Sequence, residues 1–391
     1  MKSITFIFLL VVILSACQSG SKKSPAQDLS QTYSLVQRNE SLMNGKEWEQ
    51  VHNAYTKNIQ ILRGQPSDAK AKLDLAELFM QEARVTGEHG HYYPMALQLA
   101  DQVLNDHAGN KDHTFRALSD KASVLLSLHL FVEAKVVALK AIAINPYNAQ
   151  IYGALVDAHI ELGEYQEAVA TADKMVAIRP DLRSYSRISY LRELYGDMDG
   201  AIEAMNQAVE AGYPGYEETS WARMHLGDLY LKAGKADFAE MHYRLALEQR
   251  PGYPFALAAL GHLELQKRNY TEAEKLLDQA IQVIPEVGFY ITKAELKLLT
   301  NKPDEANQLA REVIEMLKDD EQAGHKMDLT YAYVYKNLFA DPKTSLEYVH
   351  KEHAVRPDNI EVNQYLADLY TELGDKEKAN QFRAKSTISK I

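Results

Sequence analysis

Between residues 220 and 253 the apolar positions follow a helical beat in two blocks. Leu226, Gly227 and Tyr230 share one face of the first block at i, i+1 and i+4. Ala239, Tyr243 and Ala246 share one face of the second at i, i+4 and i+7. Gly234 divides the blocks, since it takes positive φ readily and ends a helix, and Pro251 cannot continue the second. The small residues Gly227, Ala239 and Ala246 predict two helix backbones in close approach. Leu226, Tyr230 and Tyr243 fill the space beside them. The alanine of the second block recurs at Ala134, Ala168, Ala201, Ala239, Ala273, Ala306 and Ala379, with Ser345 standing in once. The spacings are 34, 33, 38, 34, 33, 39 and 34, a period that a single closed core has no reason to keep. Pro146, Pro180, Pro251, Pro285 and Pro357 close successive units. Strand-like alternation is absent. The expected fold is all-α, a stack of about nine helix pairs, each burying one face on the next.

The set Leu226-Gly227, Tyr230, Gly234, Ala239, Tyr243, Ala246 and Pro251 resembles one tetratricopeptide repeat, a 34-residue helix–turn–helix unit. The resemblance implies a right-handed superhelical solenoid whose first helices line a concave face. Residues 34–110 then hold degenerate repeats and 115–319 regular ones. A divergent repeat at 326–359 has Tyr331, Tyr333 and Tyr335 crowding its first helix, and 360–391 is a capping repeat with a short, polar second helix. The turn at residues 86–93 is expected to be enlarged. Residues 187–197 with 201–205, residues 83–87 with Tyr92 and Tyr93, and Asp157 with Leu162-Gly163 are similar to one group of bacterial tetratricopeptide proteins, from which no activity carries over.

The N-terminus follows another pattern. Lys2 precedes an apolar run over residues 4–14, too short to span a bilayer as a helix but suited to the core of a signal peptide. Leu14-Ser15-Ala16-Cys17 follows, and Cys17 is the only cysteine. This resembles the bacterial lipobox, which implies a signal peptide over 1–17, lipidation of Cys17 and a stable membrane anchor. Gln18, where enteric bacteria use Asp for inner-membrane retention, implies an outer-membrane protein facing the periplasm. Residues 18–33, rich in Ser, Gly, Lys, Pro and Gln, read as a flexible tether. With Cys17 modified, neither an intrachain disulfide nor thiol catalysis is available.

Composition narrows the function. A net charge of −11 argues against nucleic acid as a partner. Nucleotide-binding glycine loops, the Gly-x-Ser-x-Gly elbow and His-Glu-x-x-His are all missing, so the chain is expected to be no enzyme and to need no cofactor. In the implied solenoid the concave positions hold Asp157, Glu161, Arg183, Tyr190, Trp221, Met224, Asp228, Phe255, His262 and Glu295. Trp221, Met224 and Phe255 are large apolar groups beside carboxylates. They suit either a peptide groove with hydrophobic anchors or packing between repeats. Arg179, Arg183, Arg187 and Arg192 with Tyr185, Tyr190 and Tyr195 suit either anion recognition or internal pairing with Asp157, Glu161 and Glu193. Glu88-His89-Gly90-His91 lacks a third ligand at a zinc-like spacing and reads as an interaction loop or solvated turn, with no metal.

The expectation is a non-enzymatic, membrane-anchored scaffold that binds a protein or peptide in its concave groove, in cell-envelope assembly or secretion. The alternative is a glycan- or nutrient-binding surface lipoprotein. Only Trp48 and Trp221 are available as tryptophan platforms for a sugar. An enzyme with its site in the loops near His89 and Tyr213 is the third class.

Overall fold

The computed structural model describes residues 29–388 other than 44 and 108. The signal peptide, Cys17 and most of the expected tether lie outside the described residues. Leu29–Thr32 form α1, and Tyr33 is buried against the core, so the fold starts ahead of residue 34.

After α2 (Gly45–Gly64) the described residues form nine helix pairs. They are α3 (Ala69–Thr86) with α4 (His89–Asp106), α5 (Lys111–Ser127) with α6 (Phe131–Ile144), and α7 (Ala149–Glu161) with α8 (Tyr165–Ile178). Next are α9 (Leu182–Leu194) with α10 (Met198–Ala211), α11 (Glu217–Lys232) with α12 (Ala236–Gln249), and α13 (Pro254–Gln266) with α14 (Tyr270–Val283). The last are α15 (Val287–Leu299) with α16 (Pro303–Gln322), α17 (Asp328–Asn337) with α18 (Pro342–Val355), and α19 (Ile360–Glu372) with α20 (Lys376–Arg383). No strand occurs among the described residues. Each first helix packs on its own second helix, and each second helix up to α18 packs on the first helix of the next pair.

Local chemistry sets the boundaries. Pro146 and Pro180 end the preceding unit, and Asn148 and Asp181 then cap α7 and α9 by accepting from Gln150 N and Ser184 N. Ser184 Oγ in turn accepts from Asp181 N at 2.9 Å, completing a capping box. Within a pair, Gly227 is required by close approach: a Cβ there would lie 2.4 Å from Tyr243 Cε1. The enlarged turn expected at 86–93 does not form. Only Gly87 and Glu88 separate α3 from α4, and the extra residues lengthen both helices, to 18 residues each. Glu88-His89-Gly90-His91 is therefore the start of a helix rather than a loop.

The solenoid also coils until its turns touch, which the repeat pattern does not announce. Asn39 Nδ2 donates to Gln282 O at 3.1 Å, Lys326 N to Leu128 O at 3.1 Å, and Ile360 N to the Tyr165 hydroxyl at 2.9 Å. These partners are 195 to 243 residues apart. Gly163 sits on this seam with φ +80°, where a Cβ would stand 2.4 Å from the Asp358 carbonyl. The seam is charged and buried. Arg38 bridges Glu82 at 2.5 Å and Glu47 at 2.9 Å, and Arg250 reaches Glu47 at 2.7 Å. Burial works to raise the Glu47 carboxyl, but Arg250 and Arg38 outweigh it and hold it below its usual range.

Candidate functional site

Seven consecutive first helices, α3 to α15 in odd steps, line a concave groove of about 1310 Å³. Because the turns touch, this groove runs round the inside of the coil, and Arg84 on α3 approaches Glu218 on α11 to 3.9 Å. Helical geometry puts the lining in place: positions i, i+3 and i+4 of each first helix share the inner face. On α11 these are Trp221, Met224 and His225, followed one turn on by Asp228.

Eight of the ten residues expected on the concave face line this groove: Asp157, Arg183, Tyr190, Trp221, Met224, Asp228, Phe255 and His262. Two do not. Glu161 lines a smaller side chamber at the seam and pairs with Arg356, 195 residues further along the chain. It is drawn there because the next turn of the coil covers the end of α7. Glu295 accepts a hydrogen bond from the Tyr333 hydroxyl on α17, so it links neighbouring repeats instead of facing the groove. Met224 faces the groove but is 8% exposed, more packing than anchor.

One site feature was missed from the sequence. Trp221 and Phe255 occupy the same repeat position 34 residues apart, and Phe289, a further 34 residues on, stands one place past it, because Ala273 and Ala306 are only 33 apart. Phe255 meets Phe289 edge to face, with centroids 5.6 Å apart, and both line the groove beside Ala258 and Ala259. Stepping from Phe255 by the 33 residues that separate Ala273 from Ala306 lands on Gly288, next to Phe289. Trp221 is 37% exposed, and its ring stands 4.3 Å from that of His225. Trp221, Phe255 and Phe289 form an aromatic ladder along one side of the groove, in which Phe289, only 6% exposed, serves as packing against Phe255.

The charges around the ladder satisfy one another. Arg187 takes Asp157 in two hydrogen bonds of 2.8 and 2.6 Å, and Arg183 takes Glu218 at 2.5 Å. Lys232 pairs with Glu193 at 2.6 Å. Tyr243 donates to Asp228 at 2.7 Å. Burial, then the Asp228 charge, pushes the Tyr243 phenol far above its usual range, and burial does the same to Tyr190. Of the two readings of the arginine cluster, internal pairing is the one observed. Asp157 is among the expected partners, while Glu193 pairs with Lys232 and Glu161 with Arg356. Arg192 has only longer approaches to Asp197 and Glu203, at 3.9 and 3.8 Å.

The histidines of α4 pack within the fold instead of forming a loop site, His89 at the seam and His91 against the N-terminal segment. His89 lies 5.7 Å from the His325 ring, and His91 Nε2 is 2.9 Å from the Ser34 carbonyl oxygen. Among the described residues no group of three or more His, Cys, Asp or Glu is placed to hold a metal ion. No described helix is long and apolar enough to cross a membrane.

Residues 125–193, 195–254 and 256–287 match three family models, each described as tetratricopeptide repeat. The chain carries tetratricopeptide repeats. No curated protein matches the sequence. Among solved structures, the APC/C hetero-tetramer Cut9–Hcn1 is similar over 84% of this chain and 62% of that one, at 15% identity and a TM-score of 0.52. This chain thus spans less than two thirds of that protein's length, and the likeness is one of fold. A thermophilic tetratricopeptide-repeat protein of Thermus thermophilus covers 50% of this chain and 99% of its own, at 22% identity and TM-score 0.44. One from Parabacteroides merdae covers 66% and 98%, at 17% identity and TM-score 0.43. Tetratricopeptide repeats typically build a non-catalytic scaffold for protein interaction, and no catalytic family is matched.

Proposed function

We propose that this tetratricopeptide-repeat chain is a non-enzymatic, membrane-anchored scaffold that holds a segment of a partner protein in its concave groove. The observation that carries this reading is the ladder of Trp221, Phe255 and Phe289 in a groove whose charges pair internally. An apolar shelf inside a ring of already satisfied charges recognises aliphatic or aromatic side chains and asks little of a ligand's charge. The closed coil favours one extended or helical segment over a folded domain. Lipidation at Cys17 anchors the scaffold at the outer membrane, facing the periplasm, and raises the local concentration of partners there. Cell-envelope assembly or secretion is the process that suits this address.

A photo-crosslinker at Gln150, on the groove wall, tests the reading in native membranes. We expect a discrete protein adduct that survives high salt and is lost in the pair Trp221→Ala and Phe255→Ala, with helicity unchanged. Absence of any adduct beside saturable binding of an oligosaccharide overturns it. Palmitate incorporation that persists in Cys17→Ser removes the anchor.

A further inference from the structure

The water-facing positions of the second helices can be compared in register, because Ala134, Ala168 and Ala201 align α6, α8 and α10. On α10 four of these positions are Asp199, Glu203, Asn206 and Glu210. On α6 the same four are Val132, Val136, Leu139 and Ala143. The first three expose 46, 47 and 47% of their surface. A convex helix that meets only water has no use for such residues, and the polar set on α10 is what solvent requires. The spacing on α6 is four, three and four residues, the seam of a helix that packs on another helix.

Two exposed charges, Glu133 and Lys140, stand on one flank of this stripe, and neither makes an ion pair among the described residues. On the other flank Lys135 is tied to Glu164 at 2.5 Å. We propose that α6 is a self-association surface, on which a second copy of this chain packs its own α6 antiparallel across a two-fold axis between Val136 and Val137. The midpoint of Glu133 and Lys140 falls on that axis. Antiparallel pairing therefore sets Glu133 of each copy beside Lys140 of the other, and Val136 of each beside Val136 and Leu139 of the other. Parallel pairing instead sets Lys140 against the other copy's Lys135, like against like. The stripe is thus complementary to itself in one orientation. A helix of 14 residues, about 21 Å long, covers much less than the ~800 Å² per partner of a standard interface, so the dimer is reversible.

Sedimentation equilibrium on the full chain carrying Cys17→Ser reads this directly, with no lipid or disulfide joining the copies. The average mass rises with concentration toward twice that of the monomer. Val136→Glu, which sets two carboxylates on the axis, holds the chain monomeric with its helicity intact. Glu133→Lys and Lys140→Glu each raise the dissociation constant about tenfold by setting like charges together, and the double exchange restores it. A mass fixed at the monomer for the parent chain overturns the proposal, and so does a double exchange no better than the weaker single. Vesicles of anionic lipid supply the last arm. If Glu133→Lys strengthens vesicle binding and Lys140→Glu weakens it, with the two effects cancelling in the double, the stripe meets a membrane and the proposal fails.

Discussion

The junction of Gly227 with Tyr243 and the seam at Glu47 hold the same coil together by opposite means. Inside a repeat, a missing Cβ lets a tyrosine ring lie flat on the neighbouring helix, and fully buried Ala239 and Ala246 complete the contact. At the seam, four charged side chains, Glu82, Arg38, Glu47 and Arg250, are each less than a tenth exposed and are joined in a chain of ion pairs. The first contact is local and repeats with the period. The second joins residues 203 apart and occurs once. Nearest-neighbour stacking alone makes a solenoid whose stability adds up repeat by repeat. The seam couples α2 to the end of α12 in the fifth pair, so the coil gains a cooperative closure that no single repeat contains.

The sharpest way to break this difference is Glu47→Ala. It leaves two buried guanidiniums, Arg38 and Arg250, short of their shared carboxylate. Removing one partner of a buried pair typically costs about 3–5 kcal/mol, because the remaining charge stays desolvated. We expect that loss in urea unfolding, and hydrogen exchange should rise both at residues 29–64 and at 250–284. Exchange confined to the N-terminal helices would mean that the seam does not couple distant repeats. Gly227→Ala acts on the local contact. The added methyl meets Tyr243 Cε1 at 2.4 Å, an overpacking that costs about 1–3 kcal/mol. Its effect should stay within α11 and α12 and shrink in the double variant with Tyr243→Leu, since the two positions touch.

The same contrast explains what could be read from the chain and what could not. The alanines from Ala134 to Ala379, with Ser345, and the closing prolines are short-range signals, and they mark the eight pairs from α5 to α20. Eight of the ten concave residues followed by counting along a repeat. Glu161 and Glu295 failed because counting sees only neighbours. Arg356 arrives from a later turn, and Tyr333 comes from the repeat where tyrosines crowd the first helix. The extra residues at 86–93 looked like a loop because they break the period, yet they carry no Pro or Gly-rich turn chemistry strong enough to end α3 before Gly87. The aromatic ladder was legible only in part, since Phe255 follows Trp221 by one period while Phe289 falls one place off the register that Ala306 sets.

Acid sharpens the comparison further. His325 is buried at the seam, and its Nδ1 has no partner. Burial, then the nearby His89 and His129, lowers it from 6.5 to about 4. A base whose folded value is depressed binds protons preferentially in the unfolded chain, so its share of stability is complete above pH 6.5 and is lost as pH falls through about 4. Between pH 7 and pH 5 that amounts to about 2 kcal/mol. Glu286, pushed up to about 7 by burial and Asp320, works in the opposite sense, so the measurement is a difference. The stability of His325→Gln should fall less than that of the parent over this range. Equal slopes would remove His325 from the seam's proton balance.

The smallest effect belongs to an ion pair that resembles those of the seam in chemistry and differs in place. Arg183 and Glu218 meet at 2.5 Å in the groove, but their side chains keep 44 and 42% of their surface in water. Water screens the pair, and holding two long side chains together costs rotamer entropy, so such contacts contribute about 0–1 kcal/mol. Arg183→Met should therefore change urea stability by less than about 1 kcal/mol, in contrast to Glu47→Ala. It should nevertheless free the Glu218 carboxylate toward the groove and make capture of a partner segment salt-dependent. If capture keeps the salt response of the parent chain, internal pairing is not what makes this groove indifferent to ligand charge. The apolar ladder would then account for recognition by itself.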